Sequence, residues 1–334
     1  MLQIGDLANS LVMRSYQTRI KTELARLSEE VTTGQKADPA AQLSGALTHL
    51  TGVQSSLSRL QAYKLSNTEA KLIADAAQRV MGDMQTATAA LGADTLQVEL
   101  STSPVARASL ADKARQVFAG LVSGLNAQQA GQSLFAGAAT GSPAMASADD
   151  ILAALATHLA GAATMPDIAA RLDDWFNTSG GGFETLAYQG AADSRQPLRL
   201  NDTASVGFDF RADDQAFRDM LKHTATAALA SGAGLSVDSQ MQADMLTGAG
   251  EGLLTVQGEF TALRAELGSV QEQIDLAMQR NDAAESAGRI GRNDLLAADP
   301  YDTATRLELV QSQLETLYTV TARNSRLSLV DFLR

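Results

Sequence analysis

Near the C-terminus, Leu253, Val256, Phe260, Leu263, Leu267, Val270, Ile274 and Ala277 advance by alternating steps of three and four residues. Steps in that order keep one apolar stripe on a single helix face with little drift. No proline interrupts the run, and glutamate, glutamine and arginine fill much of the opposite face. A helix so patterned buries its stripe only by pairing with another of comparable length. Asp299-Pro300 is the nearest breaker. Beyond it Leu307, Val310, Leu314 and Leu317 resume the spacing, and Leu327, Leu329, Val330, Phe332 and Leu333 form an apolar tip. Two long C-terminal helices are predicted.

The front of the chain mirrors this arrangement. Leu24, Leu27 and Val31 take three-four steps before Gly34 and Pro39 break the pattern. Leu43, Leu47, Leu50, Val53, Leu57 and Leu60 continue at helical spacing to about residue 90, and a further helical run covers roughly 105–134. The piece Leu96–Leu100 alternates and reads as an extended linker. Pairing of the runs at opposite ends predicts a mainly α fold, a long antiparallel helical rod with both termini at one end. Between them lies an inserted α+β outer domain. Its predicted helices are about 149–161, 168–176 and 214–230, and its strand-like pieces are 183–188, 197–200 and 206–211. Across residues 136–234 there are 12 acidic and 6 basic side chains, which marks a solvated appendage. Gly248-Ala249-Gly250-Glu251-Gly252 reads as a loop or break before the long C-terminal helix. Deleting about 145–230 is expected to be tolerated.

The 334 residues hold no cysteine, three histidines and 4% aromatic residues, with a net charge of −12. Disulfides, thiolate nucleophiles and cysteine-ligated metals are thereby ruled out. The acidic balance argues against a nucleic-acid partner. His49, His158 and His223 begin no metal spacing, and no HExxH, GxxxxGK[ST], GxSxG or dinucleotide fingerprint occurs. The acid pairs Asp149-Asp150, Asp173-Asp174 and Asp213-Asp214 lack the ligand series of a calcium loop. Asp149 and Asp213 are read as acids near helix N-termini. No catalytic, cofactor-binding or metal residue is expected, and no enzyme activity. No stretch approaches the 18 apolar residues of a membrane span, and Asp6, Arg14 and Arg19 interrupt any cleaved-signal pattern. Amphipathic helices at both ends suggest a surface for assembly, with Leu24, Leu27, Val31, Leu307, Val310, Leu314, Leu317, Leu327, Leu329 and Phe332 as its candidate residues.

Three blocks carry a family resemblance. Leu24-Ala-Arg-Leu-Ser-Glu-Glu-Val-Thr-Thr-Gly-Gln-Lys36, Gly131-Gln-Ser-Leu-Phe-Ala-Gly137, and Asn293-Asp-Leu followed by Ala-Asp-Pro-Tyr-Asp-Thr-Ala-Thr-Arg306 are similar to blocks of the bacterial flagellin superfamily. The ending Ser325-Arg-Leu-Ser-Leu-Val-Asp-Phe-Leu-Arg334 resembles that superfamily as well. The Leu-Phe-Ala-Gly segment resembles the hook-filament junction members, also called the third hook-associated proteins. The resemblance covers about 1–135 and 240–334. The chain departs from the pattern at Ala37-Asp38-Pro39, at Ser133 and in its opening residues.

The resemblance implies a structural subunit that joins the hook to the filament by helical self-assembly, with a filament subunit of flagellin type as the alternative. It implies a terminal coiled-coil assembly region of 1–33 with 304–334, a helical rod domain of 34–135 with 237–303, and the outer domain at 136–236. Implied partners are other copies of the chain, the first hook-associated protein on the hook side, flagellin on the filament side, and an export chaperone for the C-terminal helix. Nucleic acid and membrane insertion are not implied, and no cofactor is. The implied location is the extracellular flagellum, reached through the flagellar type III apparatus without signal cleavage. Two other classes compete: a cytoplasmic coiled-coil adaptor, and an enzyme with its site in the insert.

Overall fold

A computed structural model describes the backbone of residues 2–42, 47–98, 102–232 and 237–332, and side chains among them from residue 11 to residue 323. The architecture is mainly α, with long helices at both ends of the chain and a smaller inserted region of short helices and strands. In chain order the elements are α1 (Leu2–Thr33), α2 (Pro39–Gln42), α3 (Leu47–Leu96), α4 (Pro104–Leu125), β1 (Gln128–Gln129) and β2 (Gln132–Ser133). They continue with α5 (Ala148–Leu159), α6 (Met165–Asn177), a π-helical turn (Phe183–Ala187), β3 (Leu198–Arg199), β4 (Ser205–Val206), α7 (Gln215–Leu229), α8 (Ser239–Leu296) and α9 (Pro300–Phe332). Leu43, Glu99, Leu100 and Gly234 lie outside the described residues. The chain divides into two compact units, Met1–Gln61 with Asp282–Arg334, and Ala62–Asn281.

In the first unit α1 packs along α9. The two run in opposite directions: Gly34 meets Ala298 beyond one end of α1, while Gln17 lies beside Tyr318. In the second unit α3 and α8 are also antiparallel. Lys71 pairs with Asp275 (2.8 Å), Gln271 with Asp75 (2.7 Å), Gln85 with Thr261 (2.9 Å), and Gln257 with Thr88 (3.1 Å). Between these polar edges the predicted stripe is the seam. Leu253, Val256, Phe260, Leu267, Ile274 and Ala277 are buried, with Leu263 and Val270 packed against them. Each fully buried leucine or phenylalanine contributes roughly 1.5–3 kcal/mol.

In this unit α4 and α7 pack against that pair, and α5 and α6 pack on α4 and α7. Gly124 lets α4 approach α3, since a Cβ there would lie 2.6 Å from Met84 Cε. Ser103 caps α4, accepting from Ala106 N, with Pro104 in its first turn. Phe217 of α7 stands edge-on to Phe260 of α8, with ring centroids 5.3 Å apart. Ser147 and Thr164 cap α5 and α6. Asp149 lies in the first turn of α5, and Asp213 just before α7 is ion-paired with Arg211 at 2.7 Å.

Four sequence expectations are corrected. The helical run from 105 ends at Leu125, because the Asn126 side chain bonds both Met145 N and Met145 O and draws the chain aside. Ala130 and Gly131, both at positive φ, then form a two-residue turn between β1 and β2. Within the piece 183–188, Phe183–Ala187 is a π-helical turn, not a strand, and Tyr188 alone makes a β-bridge, with Met145. The turn's five-residue spacing bonds Tyr188 N to Phe183 O and stacks the two rings at 6.5 Å. Pairing of β4 stops at Val206, so 207–211 is not strand. Gly248–Gly252 lies inside α8 rather than breaking it. There a Cβ on Gly250 would sit 2.6 Å from Thr95 Oγ1, and one on Gly252 2.1 Å from His223 Nδ1. These glycines serve close approach, not a turn.

Candidate assembly interface

The pair of terminal helices places the candidate residues in two groups. Leu27 and Val310 are buried in the seam, and Leu24, Leu307, Leu314 and Leu317 are half-buried along it. Met13, Gln17 and Ile20 extend the seam on α1, and Thr303 closes it on α9. The side chains of Leu327, Leu329 and Phe332 lie outside the described residues. Val31, expected on the stripe, is instead 46% exposed, because the buried position at this end belongs to Glu30.

Glu30 shows why a carboxylate can occupy a seam. Its Oε1 accepts from Arg26 Nη1 (2.9 Å), from Gln42 Nε2 (2.6 Å) and from Ala37 N (3.2 Å), so the buried charge is paired. Arg26 also grips Glu23, and that hydrogen bond holds the Glu23 carboxyl below its ordinary pKa, with Arg306 and Arg19 adding a smaller pull. Gly34 ends α1 at φ +68°, its N–H donating to Glu30 O. The chain then crosses the start of α9. Lys36 N donates to Leu296 O (2.8 Å), Ala298 N to Gly34 O (3.0 Å), and Lys36 Nζ to Leu295 O (3.2 Å). Asp299 caps α9 through Tyr301 N and Asp302 N. Two of the sequence blocks singled out above, some 260 positions apart, are therefore one tied joint.

Outside the seam the same helices keep large apolar side chains in solvent. Leu11, Val12 and Tyr16 on α1, and Leu309, Tyr318 and Val320 on α9, are all exposed, Leu11 and Leu309 at 59% each. The sequence reading did not single these out. Val12 and Tyr16 stand four apart, a signal that was available, but nothing in spacing alone distinguishes an inward stripe from an outward one.

The third block is core rather than surface. Phe135 is fully buried against Phe210 (5.6 Å) and Phe217 (5.5 Å). Gly137 follows at φ +61°, where a Cβ would lie 2.5 Å from Asp193 O.

Residues 255–333 match the model of the bacterial flagellin C-terminal helical region, which spans the end of α8 and α9. Over that stretch the chain is similar to bacterial flagellins. Among solved structures, the chain is similar to a proposed flagellar hook-associated protein from Vibrio parahaemolyticus. The identity is 11%, covering 76% of this chain and 96% of that one, at a TM-score of 0.43. No curated protein matches the chain significantly.

Chemistry elsewhere is sparse. Among the described residues no three His, Asp or Glu side chains converge as a metal site, and no helix is long and apolar enough to cross a membrane. His49 is exposed, and His158 lies 3.5 Å from Asp174. His223 is half-buried against α8, and burial pushes its pKa down to about 4, with Lys222 adding to the shift and Asp219 opposing it.

Proposed function

We propose that this chain is a structural subunit of the bacterial flagellum that joins the hook to the filament by helical self-assembly. The coarser part, a structural role in the flagellum, follows from the flagellin C-terminal helical region at 255–333. The observation that carries the rest is the terminal pair itself. Leu24, Leu27, Leu307, Val310, Leu314 and Leu317 bind α1 to α9, which leaves Leu11, Val12, Tyr16, Leu309, Tyr318 and Val320 facing outward for neighbouring copies. The similarity of Gly131–Gly137 to junction members favours a place at the hook's distal end.

On this reading residues 1–33 with 304–334 form the assembly region, 34–135 with 237–303 the rod, and 136–236 the outer domain. The neighbours are the first hook-associated protein and flagellin, an export chaperone holds the C-terminal helix beforehand, and no reaction is catalysed. A filament subunit of flagellin type is the second reading, favoured by the same match at 255–333. Immuno-electron microscopy of intact flagella and detached hooks separates them. A single narrow band at the distal end of the hook is expected. Label along the filament makes the chain a flagellin, and label confined to the cell body overturns both.

A further inference from the structure

From Pro39 to Thr68 the sequence holds no aspartate or glutamate, in a chain that has 38 of them, while Arg59 and Lys64 fall within it. The described part of this stretch, on α3, faces the end of α8 across a groove of about 480 Å³. Gln54, Leu57, Ser58, Gln61, Arg289 and Arg292 line it. Beside it Gly288 lets α8 approach α3 closely, for a Cβ there would lie 3.0 Å from Leu57 Cδ2. Every polar side chain of the lining can donate a hydrogen bond, and none is a carboxylate. Arg289 is ion-paired with Glu285 on its own helix. Arg292 is not so paired: its Nη2 reaches Asn293 Oδ1 at 3.4 Å, and its Nε is shielded from solvent with no hydrogen-bond partner. A guanidinium with no carboxylate partner of its own, in a lining that also holds two amides and a hydroxyl, supplies the donors that a carboxylate accepts from.

Charge distribution says where such carboxylates come from. Met1–Gln61 with Asp282–Arg334 carries 12 Lys and Arg against 13 Asp and Glu, whereas Ala62–Asn281 carries 14 against 25. Nearly all of the net charge of −12 therefore resides in the second unit, and the groove belongs to the first. We propose that the groove beside Arg292 is a docking site for exposed carboxylates from the 62–281 unit of a second copy of this chain. The proposal rests on the self-assembly reading above and goes beyond it by naming the chemistry of one contact. Such a contact would weaken with salt and would set which faces of neighbouring copies meet.

The test uses the full chain under assembling conditions, with a photo-crosslinking residue introduced as Ser55→p-benzoylphenylalanine, at an exposed position of α3 next to the groove but not in its lining. The expected product is a same-chain dimer whose linked peptide maps to an acidic segment of 62–281. Its yield should fall roughly tenfold or more with R292E and at high salt. Q61E, which adds a carboxylate at the rim and leaves Arg292 in place, should lower it likewise and serves if R292E misfolds. No same-chain cross-link, or one that neither variant diminishes, overturns the proposal. In cells, an R292E chain incorporated at the wild-type level overturns the groove and leaves the flagellar role standing. A wild-type chain absent from the flagellum overturns that role instead, and the cross-link then decides the groove alone.

Discussion

An added methyl group meets very different surroundings at two glycines of α8. At Gly252 it would lie 2.1 Å from His223 Nδ1, whereas at Gly258 it meets nothing within 4 Å. G252A is expected to lower stability by about 1–3 kcal/mol, because a ring held between two helices has little room to give. G258A is expected to raise it by up to about 1 kcal/mol through helix propensity alone. Thermal melts of the two variants check this, and shifts of the same sign would count against the packing described. His223 carries a pH prediction. Its folded pKa of about 4 lies below the ordinary 6.5, so between those values the unfolded chain binds the proton more readily. The stability it permits is whole above pH 6.5 and is lost as pH falls toward 4, by up to roughly 3 kcal/mol. H223Q should flatten urea midpoints across that window; an unchanged slope contradicts the assignment.

Elements are tied together by few but well-placed polar contacts. Asn281 Nδ2 donates to Leu200 O at 2.8 Å. With its amide oxygen turned toward Asn281, Asn67 accepts from the same nitrogen at 2.9 Å and donates to Leu200 O at 3.2 Å. Tyr63 adds a bond to Asp202 at 2.8 Å, so the β3–β4 hairpin is latched onto α3 and α8. N281A is expected to cost about 1–2 kcal/mol and to speed amide exchange across 198–206, which hydrogen exchange measures. The tolerance expected for deleting about 145–230 is reversed by α7. That helix covers Phe260, and removing it bares the α8 seam, so the deleted chain should bind a hydrophobic dye and aggregate. A dye-silent, monomeric deletion would contradict this. Periodicity marked the stripe of α8 from Leu253 to Ala277, and its burial in the core makes that stripe the inward face. It misread Gly248–Gly252 because the need for glycine there comes from Thr95 and His223, far away in sequence. The seam of the terminal pair is legible in the spacing of Leu24, Leu27, Leu307 and Val310. Val31 was misplaced because burial of Glu30 depends on Arg26, Ala37 and Gln42 arriving together, which no spacing rule encodes.

For the whole molecule, the terminal pair separates holding the chain closed from meeting its neighbours. L314E or L317E places a charge in the seam between α1 and α9, where an unpaired charge is costly. Either is expected to abolish incorporation into flagella while leaving the melting of residues 62–281 unchanged. Quantifying the chain in sheared flagellar fractions, beside calorimetry of the purified variant, tests both halves, and wild-type incorporation would reject the seam's role. The uneven charge of the two units carries the same logic outward. Two strongly acidic units repel one another, whereas the nearly neutral unit can meet the acidic unit of a second copy without that repulsion.

The joint between Gly34 and Ala298 also has a tempo. Its first half is finished when Thr33–Lys36 is made, yet its second half does not exist until Leu295–Asp299 emerges. At about 5–20 residues per second, the interval on a ribosome is roughly ten seconds to a minute. Through all of it α1 has no α9 to lie against, so the chain's order of birth keeps the pair open until α9 itself has been made. A nascent chain arrested before Pro300 should therefore leave α1 open to protease, and release of the full chain should protect it.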